Sequence, residues 1–265
     1  MLGSMQPLWL LLYATPVVCI IMAGVWWLQV KLKDAGIVDL AWSLCLGGLA
    51  IGYAALAPGA LLPKLFMLLF ALVWSLRLAV HLFVRIRDYP EDGRYRYLRD
   101  YWGEREQTGF FWFFQAQAGF AIIFSIPFLV AASNPVADFT PWIALAVVFW
   151  LVALTGESIA DWQLARFKAR PDAKGRTCRE GLWRYSRHPN YFFEWLHWFA
   201  YVCLAVGHPY WWLALLTGPV LMFVFLFRFT GIPYTEQQAI RSRGDDYRDY
   251  QRTTSAFFPW FPRRR

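Results

Sequence analysis

Residues 181–195, GLWRYSRHPNYFFEW, place Arg184, Arg187, His188, Asn190 and Glu194 within eleven positions, just where an almost unbroken apolar run begins. Guanidinium forks bind phosphate oxygens in pairs, so the arginines of this stretch suit a polyanionic ligand. A second set of polar groups lies inside or at the ends of apolar segments: Asp39, Arg77, His81, Glu157, Asp161, Glu194 and His197, with Gln117 as an uncharged companion. Such groups are costly in hydrocarbon unless they pair or line a wet cavity. Glu157 and Asp161 are i, i+4 and share a helix face; Arg77 and His81 do the same, with Arg85 one turn further. Mutual pairing that staples helices together is one reading. A cavity is the other, and the depth these groups share favours it. Tyr95, Tyr97, Tyr185, Tyr191, Tyr247 and Tyr250 fall at the same level, where interfacial tyrosines are common.

The elements that must position these groups are membrane-length. The 265 residues are 58% hydrophobic and 20% aromatic, with 16 Trp and 23 Phe, and the mean hydropathy is +0.34. A soluble core of this chain length cannot hide so much apolar surface. Cys19, Cys45, Cys178 and Cys203 share no paired or metal-like spacing, which argues against a disulfide framework or a metal site. The first apolar run has no basic residue before it and no cleavage pattern after it, so it reads as a retained span. A bilayer core of about 30 Å needs about 20 apolar residues per helix. Candidate spans are 8–30, 38–57, 63–84, 109–132, 140–160, 190–207 and 209–229. The expected fold is an all-α integral membrane protein: a seven-helix bundle with the N-terminus outside and the C-terminus cytoplasmic. That orientation puts every basic cluster in the cytoplasm, including the stretch from Arg166 to Arg187 with its eight basic residues and the tail up to Arg265.

The net charge of +8 leaves three readings of that basic face. Anchoring to anionic lipid is one, and a phosphate-bearing cofactor is another. Nucleic-acid binding is excluded by the absence of a recognisable module and by the placement of the charge on short loops between spans.

The motif Glu157-x-x-Ala160-Asp161-x-Gln163-Leu164-x-x-Phe167-Lys168, followed by GLWRYSRHPNY (181–191) and Glu194, resembles the C-terminal catalytic region of membrane steroid 5α-reductases, above all their bacterial relatives. The tail fits as well, from Gly231-Ile232-Pro233 through Glu236, Tyr247, Tyr250 and Thr253 to Phe257-Phe258-Pro259. Asp39 with Trp42, the stretch Arg77 to Arg85, Arg94-Tyr95 and Gln117 match a weaker N-terminal pattern. The resemblance covers nearly the whole chain. It implies a monomer in the bacterial inner membrane that uses NADPH to reduce the carbon–carbon double bond of an apolar enone, a Δ4-3-keto steroid or similar lipid. It also implies a single transmembrane domain (1–265) with substrate helices over 1–135 and cofactor-binding loops and tail over 136–265.

In that chemistry hydride adds to the β-carbon, negative charge grows on the carbonyl oxygen, and a donor must be aimed there. By resemblance the catalytic residues are Asp39, a buried acid kept protonated by an apolar pocket, with Tyr95 and Gln117. Leu82 stands where the animal enzymes have the tyrosine of span three, which leaves the second donor open between Tyr95 and another hydroxyl. The implied cofactor set is Arg77, Arg85, Arg94, Glu157, Asp161, Lys168, Arg184, Tyr185, Arg187, His188, Asn190, Tyr191, Glu194, Glu236, Tyr247 and Tyr250. No G-x-G-x-x-G follows a strand, so the helices themselves must hold the cofactor. Phe193 replaces a family glycine, and Pro189 suits the start of a helix. Membrane methyltransferases that use S-adenosylmethionine share the Arg-His-Pro-x-Tyr segment and are the rival enzyme reading. The segment Glu157 to Lys168 and the arginine density favour the reductase. A non-catalytic lipid-binding or scaffold protein leaves Asp39, Gln117 and Glu157 unexplained.

Overall fold

A computed structural model describes residues 6–229 and 231–263. Residues 1–5, Thr230, and Arg264 and Arg265 of the basic tail lie outside the described residues. The chain is 79% helix, with no strand among the described residues. It divides into two compact units, Met1–Phe139 with Leu204–Ala214, and Thr140–Cys203 with Leu215–Arg265.

The first unit holds α1 (Pro7–Leu32), α2 (Ile37–Leu56), α3 (Leu61–Asp88), α4 (Gly93–Trp102), a 3-10 turn (Gly103–Arg105) and α5 (Glu106–Ala132). Pro7 opens α1, where a missing N–H costs nothing. Asp92 caps α4 by accepting Arg94 N at 2.8 Å. The buried interior is aromatic and large: Phe70, Trp74, Phe110, Phe114 and Phe128 are all below 2% exposed. Two polar contacts tie α2 to its neighbours, Tyr53 Oη to Ser125 Oγ at 2.9 Å and Ser75 Oγ donating to Ser43 O at 2.6 Å. Asn134 donates to Leu204 O at 2.8 Å and Val206 O at 2.9 Å, which fastens the later segment into this unit.

The second unit holds α6 (Pro141–Lys168), a 3-10 turn (Gly181–Arg184) and α7 (Pro189–Ala205). After α8 (Trp211–Leu215) come a π-helical stretch (Leu216–Val220), α9 (Leu221–Val224), a second π-helical stretch (Phe225–Phe229), α10 (Ile232–Arg243) and α11 (Asp245–Thr253). Pro219 lies in the first π stretch, where its missing N–H interrupts the α-helical ladder. Trp195 Nε1 donates to the Pro219 carbonyl at 2.9 Å. α6 and α7 approach closely at Gly156, where a Cβ would collide with the ring of Phe193. The residue that departs from the family glycine is thus accommodated by a glycine on the facing helix.

Among the described residues, six helical runs are long and apolar enough to cross a membrane, α1, α2, α3, Gly93–Ala132, α6 and Trp211–Arg243. This is a multi-pass integral membrane protein. The expectation of seven spans is not met by length: the sixth expected span, 190–207, is α7, and its 17 residues reach about 26 Å against a core of about 30 Å. The polar RHPN stretch delays its start, and Gly207, with φ +109°, follows its end. Exposure of Ile20 (72%) and Leu61 (70%) marks apolar surface suited to lipid.

Candidate functional site

In the first unit the polar groups converge on Asp39, in the first turn of α2. Tyr95 Oη donates to Asp39 Oδ1 at 2.8 Å, and Arg94 Nη2 donates to Asp39 Oδ2 at 3.0 Å. Arg94 also reaches Asp92 through Nε at 3.3 Å, and Arg85, at the end of α3, pairs with Asp92. Burial pushes the Asp92 carboxyl up, but Arg94, its backbone N–H and Arg85 together pull it further down, so it lies below the usual carboxylate range. The Tyr95 hydroxyl comes from α4, a helix inside a loop, and its ring is buried against Phe113 of α5 with centroids 6.0 Å apart. Gln117 lies one turn beyond Phe113 on that helix.

The surroundings of Asp39 are polar, where an apolar pocket was expected. Both Asp39 oxygens accept hydrogen bonds, one from a cation, and its side chain is 27% exposed. Tyr95 Oη gives its one proton to Asp39, so it donates to a ligand only by turning from that carboxylate, and Arg94 steadies Asp39 by the other oxygen. Asp34, Gly36, Asp39, Leu82, Arg85, Ile86, Pro90, Asp92 and Tyr95 line a cleft of about 20 Å³, room for a water molecule rather than a ring system. Leu82, the departure from the animal enzymes, supplies part of its apolar wall. A ring-sized ligand fits beside Asp39 only if α3 and α4 part.

In the second unit the centre is Glu236 on α10. It accepts Arg187 Nε at 2.6 Å, Gln251 Nε2 at 2.8 Å, His188 Nε2 at 3.3 Å and Tyr247 Oη at 3.4 Å. Arg187 also donates through Nη1 to Thr254 O at 2.6 Å and Gln251 O at 3.1 Å. Tyr250 Oη donates to the carbonyls of Trp183 and Ser186. His188 stacks on Tyr191, rings 5.3 Å apart and 6° from parallel, and Tyr191 Oη meets Thr235 Oγ1 at 3.1 Å. The loop 181–188 is thus bound to α10, α11 and the chain after them. Burial drives the His188 imidazole below its ordinary range, against the opposing pull of Glu236, so it is neutral at pH 7 and donates its Nε2 proton to that carboxylate.

A depressed folded-state pKa means that the unfolded chain binds the proton first. Stability should therefore fall as pH drops below about 6.5, the unfolded value, until the folded imidazole also protonates. Melting temperature followed from pH 8 to pH 5 should decline more steeply for the wild type than for His188→Gln. Parallel profiles would remove His188 from the pH response.

The other expected residues are placed as follows. Asn190 Nδ2 lies 3.4 Å from Asp161 Oδ1, joining α7 to α6. Glu157 is buried on the same α6 face, and Lys168 ends that helix. Glu194 lies one turn after Asn190 on α7, and Arg77 lies within α3. Tyr185 accepts Trp260 N through its carbonyl at 2.9 Å. Arg184 is exposed and makes no hydrogen bond among the described residues. Sequence reasoning missed Asp92 and Gln251. The first carried a usable signal, an Asp before Gly-Arg at the start of a helical stretch; the second carried none, because Gln251 and Glu236 meet only once α10 and α11 fold back.

The donor set of the second unit fits a phosphate-bearing cofactor in its chemistry. Arg184 offers an uncommitted guanidinium, and Glu157, Asp161 and Asn190 offer partners for hydroxyl and amide groups. Arg187 fits less well, since its guanidinium already serves Glu236 and two tail carbonyls.

A protein-family model described as "Protein of unknown function (DUF1295)" matches residues 25–254. No curated protein and no solved structure matches the chain.

Proposed function

The chain belongs to the DUF1295 family, which is related to steroid 5α-reductase-like membrane proteins, and on that premise we propose that it is an NADPH-dependent reductase of the carbon–carbon double bond of an apolar enone, a Δ4-3-keto steroid or a similar lipid. The observation that carries this reading is the Tyr95–Asp39–Arg94 cluster, in which one carboxylate accepts from a hydroxyl and a guanidinium, with Tyr95 and Asp39 lining a cleft. It supplies what the family pattern lacks here, a tyrosine beside the acid of the second helix. An enone oxygen placed in the cleft would meet Tyr95, whose hydroxyl turns its one proton from Asp39 to that oxygen as charge develops there in the transition state. Asp39 holds the Tyr95 hydroxyl in place before reaction, and Arg94 holds Asp39 by its other oxygen, so only the hydroxyl proton need turn when charge appears. Apolar substrate enters from the bilayer, and the basic loops face the cytoplasm, in keeping with the side on which Lys and Arg concentrate.

NADPH, when bound, supplies the hydride for the β-carbon, and the α-carbon takes the balancing proton from water. Arg184 and Lys168 would meet its phosphates, and Asp161, Asn190 and Glu194 its hydroxyl and amide groups. Thermal-shift titration of the purified protein with NADPH, NADH and S-adenosylmethionine tests the reading. Stabilisation by NADPH with little from NADH supports it and the contact to the 2′-phosphate. Stabilisation by S-adenosylmethionine alone overturns it in favour of methyl transfer. Arg184→Ala should weaken NADPH binding about tenfold, the worth of one charge-assisted contact, and leave the melting temperature of the free protein unchanged. An unaltered Kd would remove Arg184 from the cofactor set.

A further inference from the structure

The chain from Ser255 to Arg263 has no regular secondary structure, yet it is fixed along its course. Ser255 O accepts Arg187 N at 2.8 Å, Trp260 N donates to Tyr185 O at 2.9 Å, and Arg263 N donates to Thr253 O at 2.9 Å. Phe257 turns inward, 2% exposed, onto Leu226 and Ile232 with Phe192 and Trp195 beside them. Its neighbours turn outward: Phe258 is 51% exposed, Trp260 73% and Phe261 76%. The last two are the most exposed large apolar side chains among the described residues, and they sit on backbone that hydrogen bonds hold still.

Exposed apolar side chains on the long helices face hydrocarbon and need no further explanation. These three rings differ, because irregular backbone exposed to hydrocarbon leaves N–H and C=O groups without partners. Bulk water is equally unsuited to three fixed aromatic rings. The headgroup layer satisfies both demands, taking up aromatic rings at the acyl boundary while the backbone stays hydrated. Pro259 and Pro262 flank the two outermost rings and remove two N–H groups from that requirement. Charge then narrows the kind of membrane. Arg263 is exposed, and the sequence continues with Arg264 and Arg265, so three cations follow the rings with no acid between them. Paired aromatic and polybasic signals of this kind complement an anionic surface.

We propose that Phe258–Arg263 is an interfacial anchor that seats Phe258, Trp260 and Phe261 in the headgroup layer of an anionic membrane, to which the run of three arginines in the sequence is complementary in charge. The same segment holds Tyr185 O through Trp260 N, so lipid that fixes the anchor also steadies the loop 181–188. The anchor itself stands whether or not that loop binds NADPH.

The test is hydrogen exchange of the full-length protein in nanodiscs, read on the peptide covering residues 256–265, in phosphatidylglycerol against phosphatidylcholine. Exchange should be about tenfold slower in the anionic lipid, the scale expected for a few arginines at a charged surface, and salt at about 0.5 M should erase the difference. Arg263→Gln/Arg264→Gln/Arg265→Gln should lose the lipid dependence while peptides of α6 keep their wild-type exchange. Trp260→Ser/Phe261→Ser should exchange faster in both lipids. Equal rates in the two lipids, a difference that survives loss of the three charges, or full protection in detergent without lipid would each overturn the proposal; the last would assign the surface to protein contact.

Discussion

Asp39→Ala is expected to lower kcat for enone reduction by about 10²- to 10³-fold, the loss that follows removal of one aligned oxyanion donor, with the Kd for NADPH nearly unchanged. The reason lies in how much rests on one carboxylate. Without it the buried Tyr95 hydroxyl loses its only acceptor among the described hydrogen bonds, and Arg94 is left to Asp92. The hydroxyl would then lose the orientation that serves a ligand oxygen. Tyr95→Phe, which keeps the ring packed on Phe113, should reproduce most of the loss and leave the Asp39–Arg94 pair intact. Steady-state kinetics with a Δ4-3-keto steroid and direct NADPH binding measure the two effects separately. A D39A protein that turned over normally would remove the cluster from the chemistry, and one that failed to bind NADPH would make Asp39 a cofactor residue.

Arg187→Ala should show its largest effect on stability. Its side chain is 11% exposed and that of Glu236 15%. Breaking a pair so buried leaves an uncompensated carboxylate, at a cost of about 3–5 kcal/mol. The carbonyls of Gln251 and Thr254 lose a donor as well. The melting temperature should fall sharply, and the KM for NADPH should rise as a consequence of the loosened loop. Arg187→Ala/Glu236→Gln should recover part of the loss, since no buried charge remains alone. If the single variant raised the KM and left the melting temperature unchanged, Arg187 would instead be a direct cofactor ligand, the role its motif implies.

These two residues also show where sequence reasoning stops. The long helices were legible because apolar runs of membrane length have few other uses: α1, α2 and α5 begin and end within a few residues of the expected spans. α6 extends eight residues past its expected end, carrying Asp161 to Lys168 on a continuous helix. The helices α4, α10 and α11 were not expected, because they are short and polar on average, and their buried faces amount to Tyr95 on α4, Ile232 and Ala239 on α10, and Tyr247 and Tyr250 on α11. α4 decides the site, since it brings Tyr95 to an acid 56 positions earlier in the chain. No local spacing encodes that meeting. Arg187 was identified as an anion-binding residue from its motif, but its partner Glu236 lies 49 positions away. The widened turns at Leu216–Val220 and Phe225–Phe229 shift the side-chain period, so reading faces from spacing fails there even where the helix itself is obvious.

The hold of Asn134 on Leu204 O and Val206 O has a bearing on biosynthesis. Chains are made from the N-terminus, and domains tend to fold as they emerge. The first unit cannot do so fully, because its closing segment, Leu204–Ala214, follows all of residues 140–203 in the chain. Ribosomes must deliver α6 and α7 before the buried amide of Asn134 finds its carbonyls, and until then a polar group waits unmatched beside hydrocarbon. A gene split after Phe139 would make that wait permanent for the N-terminal fragment, whereas one split after Ala214 would hand it every residue it needs.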